Sequence, residues 1–187
     1  MNRSFFFLLA FVCAVMALSP PTFFIRAAQG ADTDEEQASR LPTIFWGIVG
    51  YTRWPDAQGP LRICLSGDDP HSAIIRQSAR SIEIGRSVVT RSMPTDAATA
   101  CDIVYVSGTD NDAPGELMRS LVSAPVLTIG DGGRFCRMGG MFCLLPGGKG
   151  RETVDRFAVN QEAVSRSPLR VDPQVLRLSK RNRGALE

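Results

Sequence analysis

Between Ser39 and Lys180 the apolar positions follow two periods, and each predicts a different element. From Ser39 or Pro42 to Trp54, Ile44, Ile48 and Tyr51 share one stripe at spacings of three and four, with Phe45, Val49 and Thr52 beside it. That is helical spacing, and a helix apolar nearly all round is buried or holds a partner. Gly47 and Gly50 weaken it but would let another backbone approach, and Pro55 ends it. Short apolar runs then predict strands at Leu61–Leu65, Val88–Thr90, Asp102–Val106 and Pro125–Ile129. Helical patterns at about His71–Arg80 and Pro114–Val122 separate them, the second with Leu117, Leu121 and Val122 inward. A last strand at Arg156–Asn160, a short helix at Glu162–Ser167 and a helix from Pro173 to about Lys180 complete the pattern.

Phe135 to Leu145 carries Gly139-Gly140 at its centre, with apolar residues and a cysteine on each side. Glycines reach the positive φ angles of two-residue turns, so the stretch predicts a tight β-hairpin in which Cys136 faces Cys143. Opposed residues in an antiparallel pair stand about 4.5–5.5 Å apart at Cα, within disulfide reach. Strands separated by helices imply parallel crossovers, and the hairpin adds antiparallel strands. The expected fold is a single three-layer α/β domain over residues 39–180: a mixed, mostly parallel sheet flanked by helices, with a disulfide-braced C-terminal hairpin.

The ends of the chain follow other rules. Met1-Asn2-Arg3, the apolar run Phe5–Leu18, the helix-breaking Ser19-Pro20-Pro21 and the small residues Ala27, Ala28, Gly30 and Ala31 have the pattern of a secretory signal peptide over residues 1–30. The run is shorter than the roughly 20 residues a spanning helix needs. Bulky Val12 before Cys13 argues against a lipoprotein signal. Residues 31–38 are expected to be disordered, and 181–187 form a basic tail.

Removing the leader takes away Arg3 and Arg26 and no acidic residue, so the formal charge of +2 falls to neutral. A neutral chain gives no broad nucleic-acid-binding face. Export places the protein in an oxidising compartment, and four cysteines remain: Cys64, Cys101, Cys136 and Cys143. Four cysteines allow three pairings; the hairpin favours Cys136–Cys143, which leaves Cys64–Cys101.

Catalytic chemistry finds little support. His71 is the sole histidine, which removes multi-histidine metal sites, and no Gly-x-Ser-x-Gly elbow is present. His71 follows Pro70 at a helix start and is expected on the surface. Gly130-Asp131-Gly132-Gly133 follows a strand but lacks the spacing of a phosphate loop, and a hairpin strand is expected after it. It is taken as a turn. No cofactor is implied. The cysteines lack the Cys-x-x-Cys spacing of reactive pairs, so a thiol oxidoreductase is an alternative to a structural role rather than the first reading. A small-ligand-binding protein, with a pocket between the first helix and the sheet, is another. Arg53 beside Trp54 fits a cation–π anchor, a carboxylate partner or a structural arginine closing the helix. Met138, Met141 and Phe142 at a hairpin tip would form an adaptable apolar patch, or pack on the protein's own helices.

Three stretches resemble one family: Gly47-Ile48-Val49-Gly50-Tyr51-Thr52-Arg53-Trp54-Pro55, the two-cysteine stretch, and Phe157-Ala158-Val159-Asn160 running on into Ser165-Arg166-Ser167-Pro168-Leu169-Arg170-Val171-Asp172-Pro173-Gln174-Val175-Leu176. Together they resemble the YfiR family of periplasmic repressors over about residues 40–180. The resemblance implies a periplasmic, non-enzymatic, dimerising α/β protein with disulfides Cys64–Cys101 and Cys136–Cys143. It implies a partner, the periplasmic domain of an inner-membrane diguanylate cyclase, whose cyclic-di-GMP synthesis is suppressed. It also implies relief by an outer-membrane lipoprotein or by reduction. The partner surface would fall on Phe142, Val164 and Leu169.

Overall fold

The computed structural model describes residues 40–108, 113–147 and 154–181, all within one compact unit, Asp32–Glu187. The expected leader, the segment 31–38, the glycine-rich loop beyond Gly147 and the tail from residue 182 lie outside the described residues. Among the described residues, no helix is long and apolar enough to cross a membrane.

A six-stranded sheet forms the middle layer. In chain order its strands are β2 (Leu61–Leu65), β3 (Val88–Ser92), β4 (Ile103–Val106), β5 (Leu127–Asp131), β6 (Phe142–Pro146) and β7 (Val154–Val159), arranged β3-β2-β4-β5-β6-β7. All neighbours are parallel except β6 and β7. β4 is buried along its whole length, as expected of a parallel strand covered on both faces. Alternate residues feed two core layers. Ile63, Ile103, Tyr105, Leu127, Ile129, Phe142 and Leu144 point to the layer that also holds Leu41, Phe45, Ile48 and Val49 of α1 (Arg40–Gly50). Cys64, Val104, Val106 and Cys143 join Met118, Leu121 and Phe135 in the other.

The hairpin expected at 135–145 is a helix, turn and strand instead. α5 (Gly132–Arg137) leads into β6, which pairs in parallel with β5. The glycines cap the helix. Gly139 has φ +105°. Its N–H donates to the Cys136 carbonyl at 3.1 Å, and the Gly140 N–H donates to the Phe135 carbonyl at 3.1 Å. That nested pair is a Schellman cap. A Cβ at Gly140 would fall on the Phe135 ring, and one at Gly130 would lie 2.7 Å from it. The antiparallel C-terminal pair is β6–β7, with Phe142 opposite Val159 and Cys143 opposite Ala158.

Smaller corrections concern two helices. α1 stops at Gly50, four residues before Trp54. A Cβ added at Gly47 or Gly50 would meet no atom within 4 Å, so neither glycine serves the close approach of another backbone. In the helix over Ala113–Leu121, Met118 and Leu121 are buried while Val122 is 46% exposed, because the helix ends before it.

One ion pair staples the start of the sheet. Asp102 accepts from the Arg62 backbone N–H at 2.7 Å, from Nε at 3.1 Å and from Nη2 at 2.9 Å. Burial alone would raise the Asp102 carboxyl. The Arg62 hydrogen bonds and the charges of Arg62 and Arg86 together outweigh it and leave the group below its ordinary value. A carboxyl lowered in the folded state contributes stability above its unfolded value, about 3.9. That contribution is lost as the pH falls through the folded value. Asp102→Asn should therefore be less stable than wild type at pH 7, and urea midpoints should converge below about pH 4. A gap of constant size across that range would remove the carboxylate charge as its source.

Candidate functional site

The residues just past α1 build a second, very small sheet. β1 (Thr52–Arg53) pairs antiparallel with β8 (Arg170–Val171), Thr52 opposite Val171 and Arg53 opposite Arg170. The Asp172 N–H extends the ladder to the Tyr51 carbonyl at 2.9 Å. Thr52 turns its hydroxyl back to the Ile48 carbonyl at 2.9 Å. Arg53 Nη1 donates to the carbonyls of Gly50 at 2.5 Å and Thr52 at 3.0 Å. The last carbonyls of α1 are thus met by side chains. Trp54 Nε1 donates to the Asp102 carbonyl at 3.1 Å, which fixes the indole against the start of β4.

Two clefts share Arg53 and Trp54. One, of about 500 Å³, is lined by Arg53, Trp54, Pro55, Pro168 and Arg170. The other, of about 480 Å³, is lined by Val49, Thr52, Trp54, Leu61 and Ile84, with Arg53 and Arg86. Arg86 donates to the carbonyls of Gly59, Gln58 and Pro60. Arginines directly opposed on a ladder repel, and among the described residues no carboxylate lines either cleft. The arrangement favours an acidic group presented from outside, on an apolar or planar body.

The other residues singled out in the sequence lie elsewhere. Phe142 is fully buried in β6 and is no hairpin-tip anchor; Met141 is 4% exposed. Leu169 is buried and Val164 half-buried, both packed into the core layer that holds Phe142. Cys64–Cys101 and Cys136–Cys143 are disulfides, with Cα separations of 5.9 and 5.7 Å. The second joins α5 to β6, not two hairpin strands.

A polar cluster that the sequence reading missed lies at the carboxyl end of the sheet. His71 is not a surface residue: its side chain is 12% exposed and its Nδ1 lies 3.0 Å from Asp131 Oδ2. The Tyr105 hydroxyl donates to Asp131 Oδ1 at 2.8 Å. Burial first, then the charge and hydrogen bond of Asp131 and the charge of Asp69, push the Tyr105 phenol up and keep it protonated. The signal that could have grouped these residues was position. Asp69 follows one predicted parallel strand, Asp131 follows another, and carboxyl ends of parallel strands share one edge.

Sheet order, flanking helices and disulfides together define a disulfide-braced, doubly wound α/β domain. Within that class the chain belongs to the YfiR/HmsC-like family, whose model matches residues 42–180. Its members are regulators rather than enzymes, and the family is consistent with a periplasmic regulatory role. The match spans both strands of the β1–β8 ribbon and all four disulfide cysteines.

Proposed function

We propose that the protein is an exported periplasmic negative regulator that binds the periplasmic domain of an inner-membrane diguanylate cyclase and holds cyclic-di-GMP synthesis low. The observation that carries this reading is the ribbon. It brings the Tyr-Thr-Arg-Trp-Pro block against the Arg-Val-Asp-Pro block, more than a hundred residues apart in sequence, and holds Arg53 and Arg170 exposed side by side. The contact surface extends from the ribbon over the helix Gln161–Arg166, whose half-buried Val164 and the neighbouring buried Leu169 hold it in place. An outer-membrane lipoprotein that sequesters the regulator, and a homodimer, belong to the same proposal. Repression requires that the regulator bind the inactive state of the cyclase more tightly than the active one.

Arg53→Glu and Arg170→Glu, each exposed, should weaken capture of the cyclase periplasmic domain about tenfold or more, roughly 1.4 kcal/mol, with unchanged near-ultraviolet circular dichroism. Undiminished capture by both variants would remove the ribbon from the interface.

The clefts favour a second reading, a receptor for a small organic anion, in which Arg53 and Arg86 supply charge and Val49, Trp54, Leu61 and Ile84 supply an apolar wall. Calorimetry against a panel of carboxylates tests it. Thiol–disulfide catalysis at Cys64–Cys101 is disfavoured by access, since both cysteines are at most 2% exposed and exchange requires attack on a reachable sulfur; the half-buried Cys136 is the more reachable one.

A further inference from the structure

The carboxyl edge of the parallel strands lies at the opposite end of β2 from the Arg86-lined cleft, which reaches Leu61 at the strand's start. We propose that Asp69, His71 and Asp131 form a binding site for a divalent transition-metal ion at this edge. One imidazole nitrogen and one carboxylate oxygen from each aspartate lie within 4.8 Å of one another.

The three residues reach the spot from two elements. Asp69 caps the helix Pro70–Ser78, His71 lies in that helix's first turn, and Asp131 ends β5. The helix follows β2, so the site lies beside the point where the chain turns from β3 on one side of β2 to β4 on the other. In open parallel sheets, crevices at such switch points take ligands.

The donor set has a definite chemistry. One imidazole with two carboxylates suits zinc, manganese, iron or nickel better than the all-oxygen shell of calcium or magnesium. A tetrahedral ion with bonds of about 2.0–2.1 Å holds neighbouring ligand atoms roughly 3.3 Å apart. The His71 Nδ1 to Asp131 Oδ2 distance of 3.0 Å is a few tenths short of that. The ion would enter between them, releasing the proton of that hydrogen bond to solvent, with an oxygen of Asp69 as the third ligand.

Outer hydrogen bonds already orient the ligands, as metal sites require. Tyr105 holds Asp131 through its second oxygen, at 2.8 Å. Asp69 accepts from the Ser72 N–H at 3.1 Å and from the Ser72 hydroxyl at 2.5 Å. Three protein ligands leave at least one coordination position for water or for a donor from a partner.

The test uses untagged protein with intact disulfides, stripped with a chelator and titrated with zinc chloride. Calorimetry should show one ion bound per chain. Because the chain has a single histidine, its only imidazole proton resonances should shift in step with saturation. His71→Gln, Asp131→Asn and Asp69→Asn should each weaken binding about tenfold or more, and zinc should raise the melting temperature of wild type only. Imidazole resonances that stay still while zinc saturates the protein would overturn the site, as would folded variants that bind like wild type or the absence of saturable binding. The resonance measurement is made on wild type, so it decides the matter even where a variant fails to fold.

Discussion

Phe142→Asp is expected to abolish folding, whereas a surface anchor so mutated would lose only its partner. Phe142 is fully buried in β6, flanked by Ile129 of β5 and Val159 of β7. Its ring lies 6.2 Å from that of Phe157. Truncating such a ring to alanine costs about 3–5 kcal/mol. A carboxylate adds several kcal/mol more, because the described residues of that buried layer include no basic side chain. Against a typical domain stability of about 5–15 kcal/mol, the sum leaves little or nothing. Near-ultraviolet circular dichroism and urea unfolding should show a collapsed or absent transition for Phe142→Asp. Phe142→Leu should keep a cooperative transition at lower urea. A Phe142→Asp protein with the wild-type midpoint would place the side chain at the surface and contradict the packing of β6. Loss of partner capture by this variant would therefore say nothing about an interface, and the exposed arginines of the ribbon are the residues to change.

The second large effect is the loss of a disulfide. Cys64 and Cys101 are 37 residues apart, and Cys136 and Cys143 are 7 apart. In the chain-entropy model the longer loop contributes roughly 4 kcal/mol and the shorter roughly 2.5 kcal/mol. The pair Cys64→Ala with Cys101→Ala should therefore lower the urea midpoint more than Cys136→Ala with Cys143→Ala. Burial acts in the same direction. Cys64 and Cys101 are both buried in the layer with Val104 and Val106, whereas Cys136 is half-buried. A larger loss from the Cys136–Cys143 pair would mean that the docking of α5 on β6, rather than the entropy of the open chain, dominates. In either order, removing one brace consumes a large share of the stability of a domain this size, so a reducing environment weakens the fold that presents the ribbon.

Several elements were legible because their cause is local. The strands Leu61–Leu65 and Ile103–Val106 are short apolar runs closed by serine and glycine, and the structure keeps them as strands. The helix after Asp69 carries its own cap and a proline in its first turn. The Cys136–Cys143 pairing was anticipated on the wrong geometry. A helix end followed by a strand places residues seven apart as close together as a hairpin does, and glycine at positive φ serves a Schellman cap as readily as a hairpin turn. Neither the cysteine spacing nor the glycine pair distinguishes the two.

What the amino-acid order determined by itself was the alternation of helix and strand, the parallel sheet with its antiparallel partner near the C-terminus, and two disulfides among four cysteines. Only the tertiary structure decided that residues 132–137 coil. That choice depends on the Phe135 ring lodging against Gly130 and Gly140, a contact that exists only once β5 and β6 lie side by side. It likewise decided that Phe142 faces inward, that Arg53 meets Arg170 and that His71 meets Asp131. The physical reason is common to all three: spacing along the chain sets which face of an element a side chain occupies, but what that face meets is set by strands and helices far away in sequence, packed at nearly crystalline density.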